Sequence, residues 1–429
     1  MIKLSNLKNS PLAKDSFWAL AGNALGKGLS LFAGIAVARF LGSDVYGEYG
    51  MIKSTLLMIA IFSTFGLGYT ATKYIAETKA SASGKVRSVH QIAQTITLIT
   101  SGIIALFVTI FAEQIATWLD SPDLGSLLRM SSIAIVANAL NTTQVGELSG
   151  FRAFKTIARN NTLAGVVTFL LSVPGAYFGG IVGAIMALVL SLAFNCVVNY
   201  CSIKKMLPLG QRIKIKPDEV REIIRFSFPI ALQESLYSIT SWLGMAIIIK
   251  FAGYDQLGIY SAASQWMAVM LFIPGALRNV ALSHFAENSV DLAKTQTITK
   301  RLLLVNVLST MIPFLVIAAC SSIIASFYGS SFDRLPAVLN ICVFTAVISS
   351  MNNVLIQELI ALNHNWFLFW SRFIRDVSIL GLYMMIIPGS SYGARDVALI
   401  SLIAQIVYLA LLLAKNKIIV KRYGRNTVE

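Results

Sequence analysis

Three basic residues, Lys27, Lys53 and Arg278, lie in stretches that are otherwise apolar. A basic side chain at the centre of a membrane helix costs about 2.5–3.5 kcal/mol, so such residues usually face water, a partner or a ligand. Lys27 lies about ten residues from either end of its run, whereas Lys53 is near enough to an end for its side chain to reach the interface. Cations at this depth suit an anionic substrate. The alternative is an ion pair with an acid elsewhere in the bundle.

Three acidic residues, Glu147, Glu234 and Glu358, also lie in or at the ends of apolar runs. A carboxyl group inside a membrane protein can bind a coupling H⁺ or Na⁺, or it can pair with a neighbouring side chain. For Glu234, ion coupling and pairing with Lys27 are equally open. For Glu147 and Glu358, near the inner ends of their runs, local capping or pairing is favoured.

The sequence contains no motif for a metal centre. Four cysteines lie in apolar runs, and their spacing fits neither a zinc site nor a disulfide framework; they are Cys196, Cys201, Cys320 and Cys342. We therefore predict no metal and no cofactor, with H⁺ or Na⁺ coupling as the one ionic requirement to be considered.

The elements that must position these residues are membrane helices. Apolar residues make up 56% of the 429 residues and charged residues only 13%, about half the share usual for a soluble domain. Apolar runs of the length needed to cross a bilayer occur about 12 times. The sequence thus predicts an all-α polytopic membrane protein with short connecting segments and no soluble catalytic domain.

The net charge of +15 is distributed as in a membrane protein. Of the 35 Lys and Arg residues, 28 lie in segments that are inside if the N-terminus is inside, 5 lie outside, and Lys27 and Lys53 lie within spans. This positive-inside pattern predicts that both termini are cytoplasmic. The basic surface is then expected to meet anionic lipid head groups rather than nucleic acid.

A short outer turn occurs twice in the chain. Residues 39–49 return as residues 250–260, 211 positions later, with Phe, Gly, Asp, Gly and Tyr at the same offsets. Asp44 and Asp255 of these turns are interpreted as hairpin residues rather than as a binding site. The same offset relates two pairs in a later helix: Asn141 with Asn352, and Glu147 with Glu358.

This repeat indicates duplication, which is typical of transporters built from two halves. Six spans in each half make the repeats parallel, with a cavity expected between them. We predict an N-terminal six-helix bundle over 1–205, a basic cytoplasmic linker over 206–222 and a C-terminal six-helix bundle over 223–429.

The segments 38–47, 62–68 and 71–77 resemble the opening of bacterial polysaccharide-unit flippases, the O-antigen translocases of the Wzx type. Their superfamily also includes the MATE multidrug exporters and the lipid II flippase. The resemblance implies two six-helix bundles and no enzymatic activity. It also implies transport of an undecaprenyl-diphosphate-linked oligosaccharide from the cytoplasmic to the periplasmic leaflet, by alternating access through a cationic central cavity.

The resemblance further assigns roles and surroundings. Lys27 and Lys53 correspond to cavity-lining basic residues of the first two helices, and Arg278 to one of the eighth. The expected location is the bacterial cytoplasmic (inner) membrane. The expected partners are the lipid bilayer, the lipid-linked glycan and other membrane proteins of glycan assembly.

Two other classes are considered. A MATE-like ion-coupled exporter of small molecules shares the architecture, but such exporters usually place a carboxylate where this chain has Lys27, which would repel cationic drugs. A membrane glycan polymerase or transferase typically needs a large outer loop with catalytic residues, and the predicted outer loops are shorter than about 20 residues.

Overall fold

A computed structural model describes residues 11–64, 66–78, 83–118, 124–207, 217–275, 285, 292–362 and 364–426. Within these ranges the regular structure is helical, with no strand. This is the expected solution for a chain in lipid, because a helix satisfies its backbone hydrogen bonds within one segment.

The first group of helices runs to residue 206. They are α1 (Pro11–Thr64), α2 (Leu67–Thr78), α3 (Ser83–Ile110), α4 (Ala112–Trp118), α5 (Leu124–Ser131), α6 (Ile133–Gly150) and α7 (Phe154–Met206).

The second group begins at residue 217. It comprises α8 (Pro217–Met270), α9 (Leu292–Ala319), α10 (Ser321–Tyr328), α11 (Leu335–Ala361), α12 (Asn365–Ile386) and α13 (Gly393–Asn426), with 3₁₀ turns at Ser330–Phe332 and Ile387–Gly389.

Three of the long helices are bent at a glycine. Gly42 in α1 has φ 74° and ψ 170°, and Gly253 in α8 has φ 87° and ψ 171°. Gly180 bends α7 with φ 54°. These backbone angles suit glycine because a β-carbon would clash there. Gly42 and Gly253 are related by the offset of 211, so the repeated turn has the same backbone conformation in both copies.

The helices have the length and composition of membrane spans. Six of them satisfy both criteria, and two of the six, α1 and α7, contain a bend and can therefore cross twice. The predicted all-helical polytopic class is confirmed, and the helices are compatible with twelve crossings. The predicted eighth span, 257–283, extends beyond residue 275 into residues outside the described ranges.

The helix α3 shows how polarity is distributed in such a protein. Most of its exposed side chains are apolar and include Leu98, Ile103 and Phe107, whereas Thr97 and Ser101 are fully buried. Apolar residues on the outside and hydroxyl groups on the inside are the arrangement expected where lipid is the solvent.

The chain divides into two compact units. The first comprises Met1–Leu41 and Glu48–Ala246, and the second Gly42–Gly47 and Ile247–Glu429. In the first unit an apolar core forms from α2, α3, α6 and α7, with residues such as Ile75, Val89 and Leu148. In the second unit a core forms from α11, α12 and α13, with Leu359, Leu368 and Leu412 among its members.

Equivalent positions of the repeat make equivalent contacts within their own units. In the first, Asn141 Nδ2 donates to the carbonyl of Leu192 at 3.0 Å. In the second, Asn352 Nδ2 donates to the carbonyl of Gln405 at 3.2 Å. Asn141 therefore links α6 to α7, and Asn352 links α11 to α13. These equivalent contacts support the duplication inferred from the sequence.

Candidate functional site

Lys27 is placed by a close packing contact at the preceding residue. A β-carbon at Gly26 would lie 2.6 Å from the carbonyl oxygen of Asn161, and one at Gly165 would lie 2.6 Å from the carbonyl oxygen of Gly26. The backbones of α1 and α7 therefore touch here, as small residues permit in membrane helices. Because successive residues of a helix point about 100° apart, Lys27 is turned away from this contact, and its side chain is exposed.

Lys53 lies on the other limb of the bent helix α1. It is half-buried and follows Met51 and Ile52, which are fully buried. At 1.5 Å per residue, Lys27 lies about 22 Å and Lys53 about 16 Å along the helix from the Gly42 bend. The two predicted cations are thus about one helical turn apart in depth, well away from the turn that joins their limbs.

Two predicted site residues cannot be related to this pair. Arg278 lies outside the described residues. Glu234 lies within α8, but its side chain is outside the part of the chain that the structure describes. Their cavity-lining and coupling roles, and the pairing of Glu234 with Lys27, therefore remain predictions.

Glu147 on α6 is fully buried and forms a pair that the sequence analysis did not identify. Its Oε2 lies 2.6 Å from Nδ1 of His90, and its Oε1 accepts a hydrogen bond of 2.8 Å from Nε2 of Gln94. Both partners belong to α3, one turn apart. The available signal was the His-x-x-x-Gln spacing in an apolar helix, since residues four apart share a face.

Glu358 occupies the equivalent position in the second unit and has different partners. Its Oε2 accepts a 2.6 Å hydrogen bond from Nδ2 of Asn416, and it is also hydrogen-bonded to Thr299. Glu358 is 1% exposed. Both glutamates therefore pair between helices, and neither acts as a helix cap. The sequence analysis favoured local capping or pairing for both, whereas these contacts join different helices.

The first copy of the repeated turn contacts the second copy and the 3₁₀ turn Ser330–Phe332. The Ser43 hydroxyl donates a hydrogen bond to the Asp255 carboxylate, and the Ser43 amide donates to Oγ of Ser331 at 3.2 Å. Asp44 is exposed. These contacts lie within the second unit, and they agree with a packing role for the turn.

The comparison with known families identifies the chain. The profile of a family described as "Polysaccharide biosynthesis protein" matches residues 36–305, which is more than half of the sequence and includes the resembling segments at 38–77. The chain belongs to this family.

One relative of known name agrees with membership of the polysaccharide biosynthesis family. The EPS I polysaccharide export inner membrane protein EpsE of Ralstonia nicotianae is 23% identical over 399 residues, which cover 90% of this chain and 88% of EpsE.

Two solved structures share the fold. One is an inward-facing multidrug resistance MATE family transporter of the MOP superfamily, with a TM-score of 0.77 and 15% identity over 94% of this chain and 96% of the other. The second is the lipid II flippase MurJ, with a TM-score of 0.74 and 14% identity over 92% and 87%. The predicted fold, similar to that of the MATE transporters and the lipid II flippase, is confirmed.

Two further side-chain pairs in this family member were missed by the sequence analysis. Trp118 and Trp242 stack in parallel, 5.5 Å between ring centroids, and Trp242 Nε1 donates to Oγ1 of Thr55 at 2.9 Å. Arg375 lies within α12 and donates two hydrogen bonds, of 2.8 and 2.6 Å, to Oδ1 of Asp376. Neither pair has a spacing that distinguishes it from ordinary interface or loop residues.

Proposed function

We propose that the protein is a flippase for a lipid-linked oligosaccharide. The substrate would be an undecaprenyl-diphosphate-linked repeat unit, such as that of an O-antigen, carried from the cytoplasmic to the periplasmic leaflet of the bacterial inner membrane. Membership of a polysaccharide biosynthesis family supports this proposal, as does similarity to a polysaccharide export inner membrane protein. So does a fold shared with a lipid II flippase.

The observation that carries the proposal is the exposed Lys27 deep in an apolar helix. An ammonium group at this depth is costly unless it meets water or an anion. The proposed substrate has an anionic diphosphate, a polar glycan and an apolar tail that can stay in lipid. A lysine binds phosphate as a point charge and needs no bidentate geometry. Lys53, and Arg278 in the same scheme, would extend the cationic surface of a central cavity that works by alternating access.

The competing transport function is export of small cationic molecules by a MATE-like protein. The shared fold is compatible with both, because fold does not fix function. Lys27 favours the anionic substrate, since a cationic drug would be repelled at short range. In either case the protein acts as a transporter rather than as a polymerase or transferase, with both termini in the cytoplasm. It would take its substrate from, and deliver it to, other membrane proteins of glycan assembly.

The test is the leaflet in which lipid-linked oligosaccharide accumulates. Spheroplasts of a deletion strain, with and without the complementing wild-type gene, are treated with a membrane-impermeant oxidant that reacts with exposed glycan. We expect the lipid-linked glycan to be protected in the deletion strain and accessible in the complemented strain. Purified protein in vesicles loaded with the same lipid should reproduce the difference.

Equal glycan accessibility in both strains would contradict the proposal. Efflux of cationic dyes that depends on the protein, without any change in glycan accessibility, would favour the exporter instead. Removal of the Lys27 charge is the mutational arm of the same test.

A further inference from the structure

The pair of His90 and Glu147 is a buried, titratable group that the transport scheme above does not use. The exposed fraction of the side chain is 11% for His90 and 0% for Glu147, and Nδ1 and Oε2 are 2.6 Å apart. Gln94 donates to the other carboxylate oxygen at 2.8 Å. All three residues belong to the first unit, on α3 and α6, and both helices contribute residues to that unit's apolar core.

The charge of this pair depends on a single proton. With the imidazole neutral and its Nδ1–H donating to the carboxylate, the pair carries one negative charge. Adding one proton gives either an imidazolium facing a carboxylate or a neutral imidazole facing a carboxylic acid, and both forms have no net charge. Burying a net charge costs free energy. A low-dielectric interior therefore stabilises the protonated pair, with no net charge, relative to the pair that carries one negative charge. Two groups this close titrate as a unit.

The second repeat provides an internal comparison. Glu358 is buried at the equivalent position, but its partners are the Asn416 amide and the Thr299 hydroxyl. Neither partner changes charge near neutral pH. In the second repeat, neutral groups therefore satisfy the buried carboxylate of Glu358. Burial of a glutamate at this position does not require a histidine partner. Among the described side chains, the imidazole of His90, a group whose ordinary pKa is near 6.5, faces the Glu147 carboxylate in the first unit.

Polar groups continue from the pair along the seam between α3 and α6. His90, Gln94, Thr97 and Ser101 share one face of α3, which spans about 16 Å at 1.5 Å per residue. Thr97 Oγ1 lies 2.9 Å from Oγ1 of Thr143 on α6.

One acceptor near this seam, on the side of α6 that contacts α7, is unsatisfied. Among the described residues, Oε1 of Gln144 is buried without a hydrogen-bond partner.

The other titratable groups near the pair are few. Of the groups described on the elements packed against it, α2 contributes Tyr74, which contacts the apolar core. The helix α3 contributes Arg87, one turn before His90, and α7 contributes Cys196, which accepts a hydrogen bond from Gln144. Arg87 is a permanent cation and Tyr74 and Cys196 are neutral at pH 7 in their ordinary range, so the charge that varies near neutral pH is that of the pair.

We infer that His90 and Glu147 form a proton-binding site, and that this proton is the one coupled to transport. The coupling role rests on the proposed flippase function, whereas the binding site itself does not. One proton from water adds to the pair in one conformation and is released from it in the other, changing the pair's charge from −1 to 0 and back. Na⁺ fits less well, because it needs several oxygen ligands, and an imidazole nitrogen occupies one side of this carboxylate.

The first experiment observes the proton directly on the purified full-length protein. The chain has three histidines, so a His284→Asn, His364→Asn background leaves His90 as the single reporter for histidine-labelled NMR. We expect the His90 ring signals to change between about pH 5 and 8. Glu147→Gln should move the pH range over which these signals change, because it removes a charge in direct contact with the ring. Glu358→Gln, the repeat-related control, should leave that range in place.

Two NMR results would overturn the site. His90 signals that stay constant across this pH range would show that the imidazole does not exchange a proton. Equal effects of Glu147→Gln and Glu358→Gln would show that the imidazole and the carboxylate do not titrate as a unit. The first measurement leaves residues 90 and 147 unchanged, so it stands even if variants at these positions fail to fold.

The second experiment measures glycan translocation in vesicles as a function of pH. One obligatory proton changes the rate by up to about tenfold per pH unit. We expect His90→Gln and Glu147→Gln to flatten this profile, and His364→Asn, which removes a histidine of the second unit, to keep it. A wild-type profile in His90→Gln would overturn the coupling role. If no glycan moves with the wild-type protein at any pH, the flippase proposal fails while the NMR result still decides the proton site.

Discussion

Gly47 and Gly258 pack in a reciprocal contact, in which each lies against a backbone carbonyl from the other's turn. A β-carbon at Gly47 would overlap the carbonyl oxygen of Tyr254, and one at Gly258 would overlap the carbonyl oxygen of Ser43. The offset of 211 relates both the two glycines and the two carbonyls. The contact lies within the second unit, which includes Gly42–Gly47. The repeated turn therefore packs against its own copy, backbone to backbone.

This contact predicts that alanine is not tolerated at either glycine. Overpacking of this kind typically costs about 1–3 kcal/mol, and here the opposing atoms are backbone and cannot rotate away. Gly47→Ala and Gly258→Ala should each lower the apparent unfolding temperature of the detergent-purified protein. Gly179→Ala is the control, because a β-carbon there meets nothing within 4 Å. Unfolding temperatures of the two variants equal to that of the control would contradict the close contact.

A matched pair of glycines tests the packing that positions Lys27. A β-carbon at Gly26 would press on the carbonyl of Asn161, whereas one at Gly28 has open space. Gly26→Ala should therefore reduce both thermal stability and transport. Gly28→Ala should preserve both, or gain up to about 1 kcal/mol of stability from the higher helix propensity of alanine. If the two variants behave alike, α1 does not depend on this contact with α7.

Lys27 is predicted to act through its charge. Lys27→Arg should retain much of the transport, because a point cation suffices for phosphate. Lys27→Ala should lower it by about tenfold or more, the effect of losing a charge-assisted hydrogen bond. Lys27→Glu should be worst, since it opposes the diphosphate with like charge. Surface glycan in a complemented deletion strain is the measurement, normalised to membrane-inserted protein.

The control for the Lys27 series is Lys250→Ala, which removes an exposed cation next to the repeated outer turn. This variant should support wild-type levels of surface glycan. Full glycan with Lys27→Ala would remove the main support for the cationic cavity. A collapse of the Lys27→Ala protein level would instead indicate a structural ion pair.

His364, between α11 and α12, gives a prediction on pH. Burial lowers the pKa of His364 below its ordinary value, and the charge of Lys415 lowers it further. Lys415 is fixed nearby, with Nζ 5.0 Å from the centroid of the Phe367 ring. A lowered folded-state pKa means that neutral His364 contributes stability above its unfolded pKa, near 6.5, which is lost as pH falls through the folded pKa.

Lys415→Gln should therefore raise the pKa of His364 part of the way towards its ordinary value, leaving the effect of burial. Lys417→Gln is the control, because two residues further along a helix the side chain points to the opposite side. NMR titration of His364 measures both variants. A His364 pKa that is unchanged in Lys415→Gln would show that the lysine charge is screened by solvent.

The sequence predicted those features that depend on local or repeated patterns. Apolar runs of membrane length predicted the helices, and the copied turn predicted the equivalence of Gly42 with Gly253, which have the same backbone angles. The same offset predicted that Glu147 and Glu358 are equivalent, and both are buried on corresponding helices. These predictions were correct because a membrane-spanning helix must form its backbone hydrogen bonds within one continuous segment.

Only the tertiary structure decided which side chains meet. Glu147 pairs with a histidine 57 residues away, whereas its repeat partner meets an asparagine and a threonine. Lys27 is exposed because Gly26 packs on α7. In a membrane both the lipid-facing and the buried faces of a helix are largely apolar, so the sequence pattern does not reveal which face points inward. The rotation and register of each helix are set by contacts between backbones, and these contacts determine the partners of the few polar groups.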